Sequence, residues 1–323
     1  MTTQLLPMDV ASYEPHPLHA TERTWTETNC YVDLWIEVLH SLGLDPLAAA
    51  AFTLSTDFEG DQWTFFKFPP EDLRFMFGIE VAEMNIWRPV VDHIEEQLSL
   101  GRLLTVEADA WYLPDTYGVS YGMVRTKTTI VPRMLDRGGR RLGYFHNAGY
   151  YELSGDDFTG LFDLEGERDA AVLPPYVETV RVDRIIRGDP DLVGKAVELA
   201  RIHVERRPDT NPIGRLQARI QSDLPWLARQ ELEVFHLYAF GTCRQCGASA
   251  ELAASFVEWL ASHGMGGGDA AANLRVVAER AKTLQFALAR VVRGRDVDLD
   301  SVFDDMRRAW ELAMIELDLH YAR

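Results

Sequence analysis

The sequence predicts an α+β protein, with a mostly antiparallel sheet domain over residues 1–170 and an all-α helical-bundle domain over residues 171–323. Three observations predict it. One strongly apolar helix opens at Cys30 near the N-terminus. Short apolar runs broken by Gly, Pro and Asp then fill the first half. From about residues 165 to 180 onward, helical spacing takes over. A chain of 323 residues is consistent with two domains and can bury a large core.

The first element follows from residues 26–43. Thr28 and Asn29 are good N-caps, and Gly43 before Leu44-Asp45-Pro46 supplies the stop. Tyr31, Leu34, Trp35, Val38 and Leu42 recur at helical spacing, and Val32, Ile36 and Leu39 widen the apolar arc until burial is required. Ala51 to Thr56 and Trp63 to Phe68 read as strands flanking an acidic loop, and Pro70 starts a short helix. Glu80 to Trp87 reads as a strand, Pro89 to Leu100 as a helix ended by Gly101, and Leu103 to Tyr112 as the clearest strand. Val124 to Pro132 and Arg141 to His146 form a hairpin about Asp136-Arg-Gly-Gly139, and Tyr150 to Leu153 continues the sheet. Asp156-Asp157-Phe158 starts a short helix. Helices follow at Asp191–Arg206, Pro212–Phe240 (interrupted by Pro225), Ala248–His263, Asp269–Val292 and Val302–Leu319.

Composition excludes several classes. The net charge of −18 argues against a broad nucleic-acid or anionic-membrane footprint, leaving local patches such as Arg133/Arg137/Arg140/Arg141 and Arg181/Arg184/Arg187. No apolar run approaches the roughly 20 residues that a membrane span needs. Without a basic, apolar N-terminal leader, and with three cysteines rather than a disulfide framework, the chain reads as cytoplasmic.

Cys30 is the leading chemical residue. A thiol in the first turn of a helix faces unpaired backbone N–H groups and the positive end of the helix dipole, which favour thiolate. A small buried hydrophobe is the plain alternative. A cysteine nucleophile also needs a base and a group that orients it. Of nine histidines, His146 is the best base, at the end of a strand in Gly143-Tyr-Phe-His-Asn-Ala-Gly-Tyr-Tyr151. Asn147 or Asp115 would hold its ring. Helix-start cysteine plus strand-borne histidine is the arrangement of papain-like folds. Asp57, Glu59 and Asp61 alternate as in a calcium loop but lack the later Glu. Cys243-Arg-Gln-Cys246 lies at a break between helices, where a pair of reduced thiols is the plainer reading and His236 and His263 could complete a zinc site. No metal or cofactor is expected.

With Thr28-Asn-Cys-Tyr-Val-Asp-Leu-Trp-Ile-Glu37, Phe58-Glu-Gly-Asp-Gln-Trp-Thr-Phe-Phe-Lys67, Tyr112-Leu-Pro-Asp-Thr116, Lys127-Thr-Thr-Ile130 and the His146 segment in view, the chain resembles a bacterial family known mainly as a domain of unknown function. That family is similar in turn to the butirosin-biosynthesis acyltransferase, which joins a papain-like domain to a helical one and moves an aminoacyl group from a carrier-protein thioester to an amine. The resemblance implies an acyl-Cys30 intermediate, an aminoacyl carrier protein as partner, a phosphopantetheine-borne substrate and a small-molecule amine or thiol acceptor. Asp57, Asp61, Gln62, Trp63, Lys127 and Tyr150 would line the substrate site. The family pattern places the catalytic His on one strand and the Asp on the next. Here Arg125 and Lys127 occupy the first strand and His146 the second. A cysteine hydrolase and a non-catalytic aminoacyl-carrier-binding protein are the rival readings, and a homodimer is left open.

Overall fold

The computed structural model describes residues 2–5, 8–166, 173–267 and 269–322. Two compact units share the chain and interleave along it. Met1–Ala20, Cys30–Leu44 and Pro70–Arg187 make the first, and Thr21–Asn29, Asp45–Pro69 and Gly188–Arg323 the second. The boundary expected between residues 170 and 171 lies outside the described residues.

The first unit is α+β. Its strands are β1 (Thr2–Gln4), β2 (Glu80–Glu83), β3 (Leu103–Asp109), β4 (Lys127–Asp136), β5 (Arg141–His146), β6 (Gly149–Ser154) and β7 (Val177–Arg181). They form one antiparallel sheet in the order β2-β7-β3-β4-β5-β6, with β1 added to the far half of β4. Helix α1 (Cys30–Ser41) packs on β4, β5 and β6, and α3 (Val90–Ser99) on β1, β3 and β4. Helices α2 (Pro70–Phe77) and α4 (Asp156–Leu161) cover β2 and β6. Because α1 is apolar on nearly every side, residues 31–39 are all buried. Two of them, Asp33 and Glu37, are carboxylates. Neither expected basic cluster is free: Arg133 is buried, Arg137 pairs with Asp92 and Glu95, and Arg181 pairs with Glu80 and Asp183.

Local sequence explains the strand ends. β4 and β5 meet at the Gly-rich turn, with a register shift between Pro132 and Met134 where proline interrupts the ladder. A two-residue turn joins β5 to β6, and its first residue, Asn147, takes φ +45°, a conformation that asparagine tolerates. Gly143 on β5 is required by its neighbour: a Cβ there would meet the Tyr150 hydroxyl at 2.1 Å.

The second unit holds a 3-10 stretch, Pro46–Ser55, and helices α5 (Leu192–Glu205), α6 (Pro212–Leu227), α7 (Leu232–Ala239), α8 (Gln245–Ser262), α9 (Ala270–Val291) and α10 (Asp300–Tyr321). Three sequence expectations fail here. Ala51 to Thr56 is not a strand, because Asp45 caps Leu47 N and Pro46 opens a tight alanine-rich helix instead. Trp63 to Phe68 is extended without strand partners; only Trp63 makes an isolated bridge, to Phe58. Nor does the chain break at Cys243 and Cys246. A π-turn over Phe240–Arg244 splices α7 to α8 into one continuous run.

Candidate functional site

Cys30 is the first residue of α1 and is half-buried. Burial pushes its thiol up from the usual cysteine range, and the Asp33 charge, one helical turn on, adds to that. Hydrogen bonds with the Thr128 hydroxyl and the backbone N–H groups of Thr129 and Cys30 itself pull the other way without prevailing. The expectation of a resting thiolate is therefore corrected. Desolvation outweighs the helix start, and Cys30 rests as a neutral thiol.

The hydroxyl beside that sulfur leads onward. Thr128 Oγ1 lies 2.8 Å from His146 Nε2, and His146 Nδ1 lies 2.5 Å from Asp115 Oδ2. Tyr144 donates its phenolic O–H to Asp115 Oδ1 at 2.6 Å. The polarity of the chain is fixed by what each end can do. A carboxylate only accepts, so Nδ1 carries a proton, and in the neutral ring Nε2 accepts from Thr128. All four partners are buried or nearly so, at 2% for the His146 side chain and 4% for Asp115. Register brings them together, since Tyr144 and His146 are alternate residues of β5 on the strand next to β4. A 3-10 turn, Pro114–Thr116, presents Asp115.

Sequence reasoning named Cys30, His146 and Asp115 but missed Thr128. A threonine in a strand is the most ordinary of strand formers, and nothing in its spacing marks it. Of the two candidates to hold the imidazole, Asp115 does so. Asn147 occupies the hairpin turn instead.

The substrate-binding candidates scatter. Lys127, exposed on β4 next to Thr128, pairs with Glu107 at 2.5 Å. Burial raises the Glu107 carboxyl, but the Lys127 hydrogen bond and the Tyr176 amide more than offset it, leaving it below the usual range. Tyr150 is buried in a ring cluster with Phe145, 5.0 Å away, and Tyr13, 6.1 Å away. Asp57, Asp61, Gln62 and Trp63 belong to the second unit. There Asp57 pairs with Arg215, and Trp63 is buried with its indole N–H donating to Ser249 Oγ at 3.1 Å. Asp61 and Gln62 are exposed in the loop.

The same helical unit seals the other two cysteines completely, and burial pushes Cys243 up to about 12. Among the described residues, no three His, Cys, Asp or Glu side chains come together as a metal-ligand set.

The comparison with known families also divides the chain in two, although residues 21–29 and 45–69 of the second unit fall within the N-terminal match. Residues 14–182 match the DUF1839 N-terminal domain and residues 189–318 the DUF1839 C-terminal domain. The chain belongs to the DUF1839 family. This family has no assigned function, so the family match establishes the two-domain kinship and leaves the chemistry to the site. No curated protein matches the chain. Within this DUF1839 member, the Cys30–Thr128–His146–Asp115–Tyr144 chain lies wholly in the first unit and within the N-terminal family domain.

Proposed function

We propose that this DUF1839 protein is a cysteine-dependent acyltransferase that accepts an aminoacyl thioester from a carrier-protein phosphopantetheine and passes the acyl group to an amine or thiol. One observation carries the reading: beside the half-buried Cys30 thiol, the Thr128 hydroxyl is bonded at 2.8 Å to an imidazole that a buried carboxylate fixes at 2.5 Å. The motif resemblance to the papain-like butirosin-biosynthesis acyltransferase supplies the substrate class.

The mechanism follows from the resting state. The Cys30 S–H proton moves to Thr128 Oγ1 as the Thr128 O–H proton moves to His146 Nε2, creating thiolate and imidazolium without net charge transfer out of the site. Asp115 stabilises the imidazolium, and Tyr144 holds the carboxylate in place. The thiolate adds to the thioester carbonyl, and backbone N–H groups at the start of α1 serve the oxyanion. The carrier thiolate then leaves, taking the proton back by the same path. The acceptor amine attacks acyl-Cys30, gives its proton to His146, and Cys30 departs as thiolate. Thiol nucleophile and thiol leaving group are nearly balanced, so a thiol that ionises only in concert with proton transfer is adequate for this exchange.

Intact-mass spectrometry after incubation with aminoacyl-loaded carrier protein tests the reading. The expected result is a mass gain equal to the acyl group, lost in Cys30→Ala and discharged by added amine. A gain that persists in Cys30→Ala, or none in the wild type, rejects it. The raised thiol and the bonding of His146 Nε2 to Thr128 favour one rival, a non-catalytic carrier-binding protein, for which carrier binds and no acyl-enzyme forms.

A further inference from the structure

The buried helix α1 carries two carboxylates one turn apart, Asp33 and Glu37, exposed to 1% and 0%. Like charges at this spacing repel on an exposed helix and do so far more strongly when desolvated. A third group resolves the conflict. His19 comes from the N-terminal segment of the same unit, as the last residue of a 3-10 turn started by Pro17, and its side chain is 3% exposed. His19 Nδ1 lies 2.5 Å from Glu37 Oε1, and His19 Nε2 lies 3.4 Å from Asp33 Oδ1. Both ring nitrogens face carboxylate oxygens, so both carry protons. That makes an imidazolium.

The remaining neighbours complete the count of charges. From the N-terminal segment, the Tyr13 hydroxyl and the His16 backbone N–H donate to Glu37. His40, further along α1, stacks edge-on with the rings of Tyr13 and His16. From the sheet, Arg133 lies within electrostatic reach of Tyr13 and donates to Ser41 Oγ at 2.7 Å. Cys30 stands one turn before Asp33, and the Asp33 charge disfavours its thiolate.

The geometry points to His19 as a positioning residue for the nucleophile: a buried imidazolium that cancels Asp33 and Glu37 along α1 and so keeps Cys30 ionisable. The inference rests on Cys30 being the reactive thiol of the proposed function, and it deepens that reading by naming the group that regulates its ionisation. Burial alone would strip the His19 proton. The hydrogen bonds and charges of Asp33 and Glu37 outweigh it and hold the ring's pKa at about 9, consistent with the two-carboxylate geometry. Without the imidazolium, the Asp33 carboxylate would stand one helical turn from Cys30 with the His19 charge gone.

The test measures the rate of Cys30 alkylation by iodoacetamide in the full chain from pH 6 to 10, read at the Cys30 peptide by mass spectrometry. His19→Gln keeps a hydrogen-bonding side chain and removes the charge. Between pH 7 and 8, where the wild-type imidazolium is intact, the rate should fall roughly tenfold, equivalent to an apparent thiol midpoint raised by about one pH unit. Adding Asp33→Asn to that variant should bring the midpoint back toward wild type, and Asp33→Asn alone should lower it. A folded His19→Gln protein with an unmoved midpoint overturns the inference, as does a double variant that restores nothing. If His19→Gln fails to fold, Asp33→Asn decides alone, and a midpoint that does not fall sinks the idea. A shifted midpoint in a protein that never forms an acyl-enzyme would reject acyl transfer while leaving His19 its role. An unshifted midpoint with acylation intact would do the reverse.

Discussion

Three thiols in this chain share burial and little else. Cys30, at the head of α1, and Cys243 and Cys246, at the splice between α7 and α8, are all pushed up by desolvation. At Cys30, two backbone N–H groups and the Thr128 hydroxyl work against that push, and that hydroxyl is bonded to an imidazole. At Cys243 the donors are its neighbour Thr242 and its own backbone N–H. Cys246 has the further disadvantage of Cys243 beside it. The difference teaches that a helix position alone does not set a thiol's surroundings. Its hydrogen-bonding neighbours do.

The largest test of this contrast is chemical. Iodoacetamide applied to the native protein should label Cys30 while Cys243 and Cys246 wait for local unfolding, a gap of about 10³ or more in rate. Peptide mapping reads it, and comparable labelling of all three thiols would erase the distinction. Next in size is the relay itself. Thr128→Val keeps the strand shape and removes the hydroxyl, so under the proposed acyl transfer the formation of acyl-Cys30 should fall by about 10² to 10³, the range for a lost proton-transfer partner. Thr128→Ser should retain most of it. Single-turnover acylation followed by mass spectrometry separates the two, and a Thr128→Val enzyme of wild-type speed would show that the hydroxyl is a bystander.

The electrostatics of α1 give a smaller effect with a definite sign. His19 sits at about 9 in the folded protein against an ordinary value near 6.5. A raised base contributes stability that is fully present below about pH 6.5 and lost as pH climbs through 9, with an upper bound of about 3 kcal/mol from a shift of this size. Urea midpoints measured across that window should fall in the wild type and run flatter in His19→Gln. A wild-type curve that is level from pH 6.5 to 9 would contradict a buried imidazolium.

What the sequence disclosed about these regions follows from how far each interaction reaches. Helices α1, α3, α5, α9 and α10 were legible because their apolar stripes and stop signals are local, and the β4–β5–β6 meander because Gly138 and Gly139 mark its turn. The Pro46–Ser55 stretch was misread because an apolar run of that length carries no period of its own. β1 and β7 were missed because their partners, β4 and the β2–β3 pair, lie far along the chain. At the site, Cys30 and His146 announced themselves by residue type, and Asp115 was one of two choices until a 3-10 turn decided it. Thr128 and His19 stayed hidden, since a strand threonine and a histidine in an N-terminal segment carry no signal until packing supplies their neighbours.

The smallest prediction brings the comparison back to packing. Replacing sulfur by oxygen barely changes volume but demands hydrogen bonds. At Cys246, which is fully buried beside Cys243, a serine hydroxyl would lose its water, so Cys246→Ser should cost about 1 to 3 kcal/mol. At Cys30 the same change meets Thr128 and the backbone N–H of Thr129, ready-made partners, and should cost well under about 1 kcal/mol. Chemical denaturation of the two variants measures both. Equal losses would mean that the polar surroundings of Cys30 confer no advantage on a polar atom, and the hydroxyl relay would lose its physical footing.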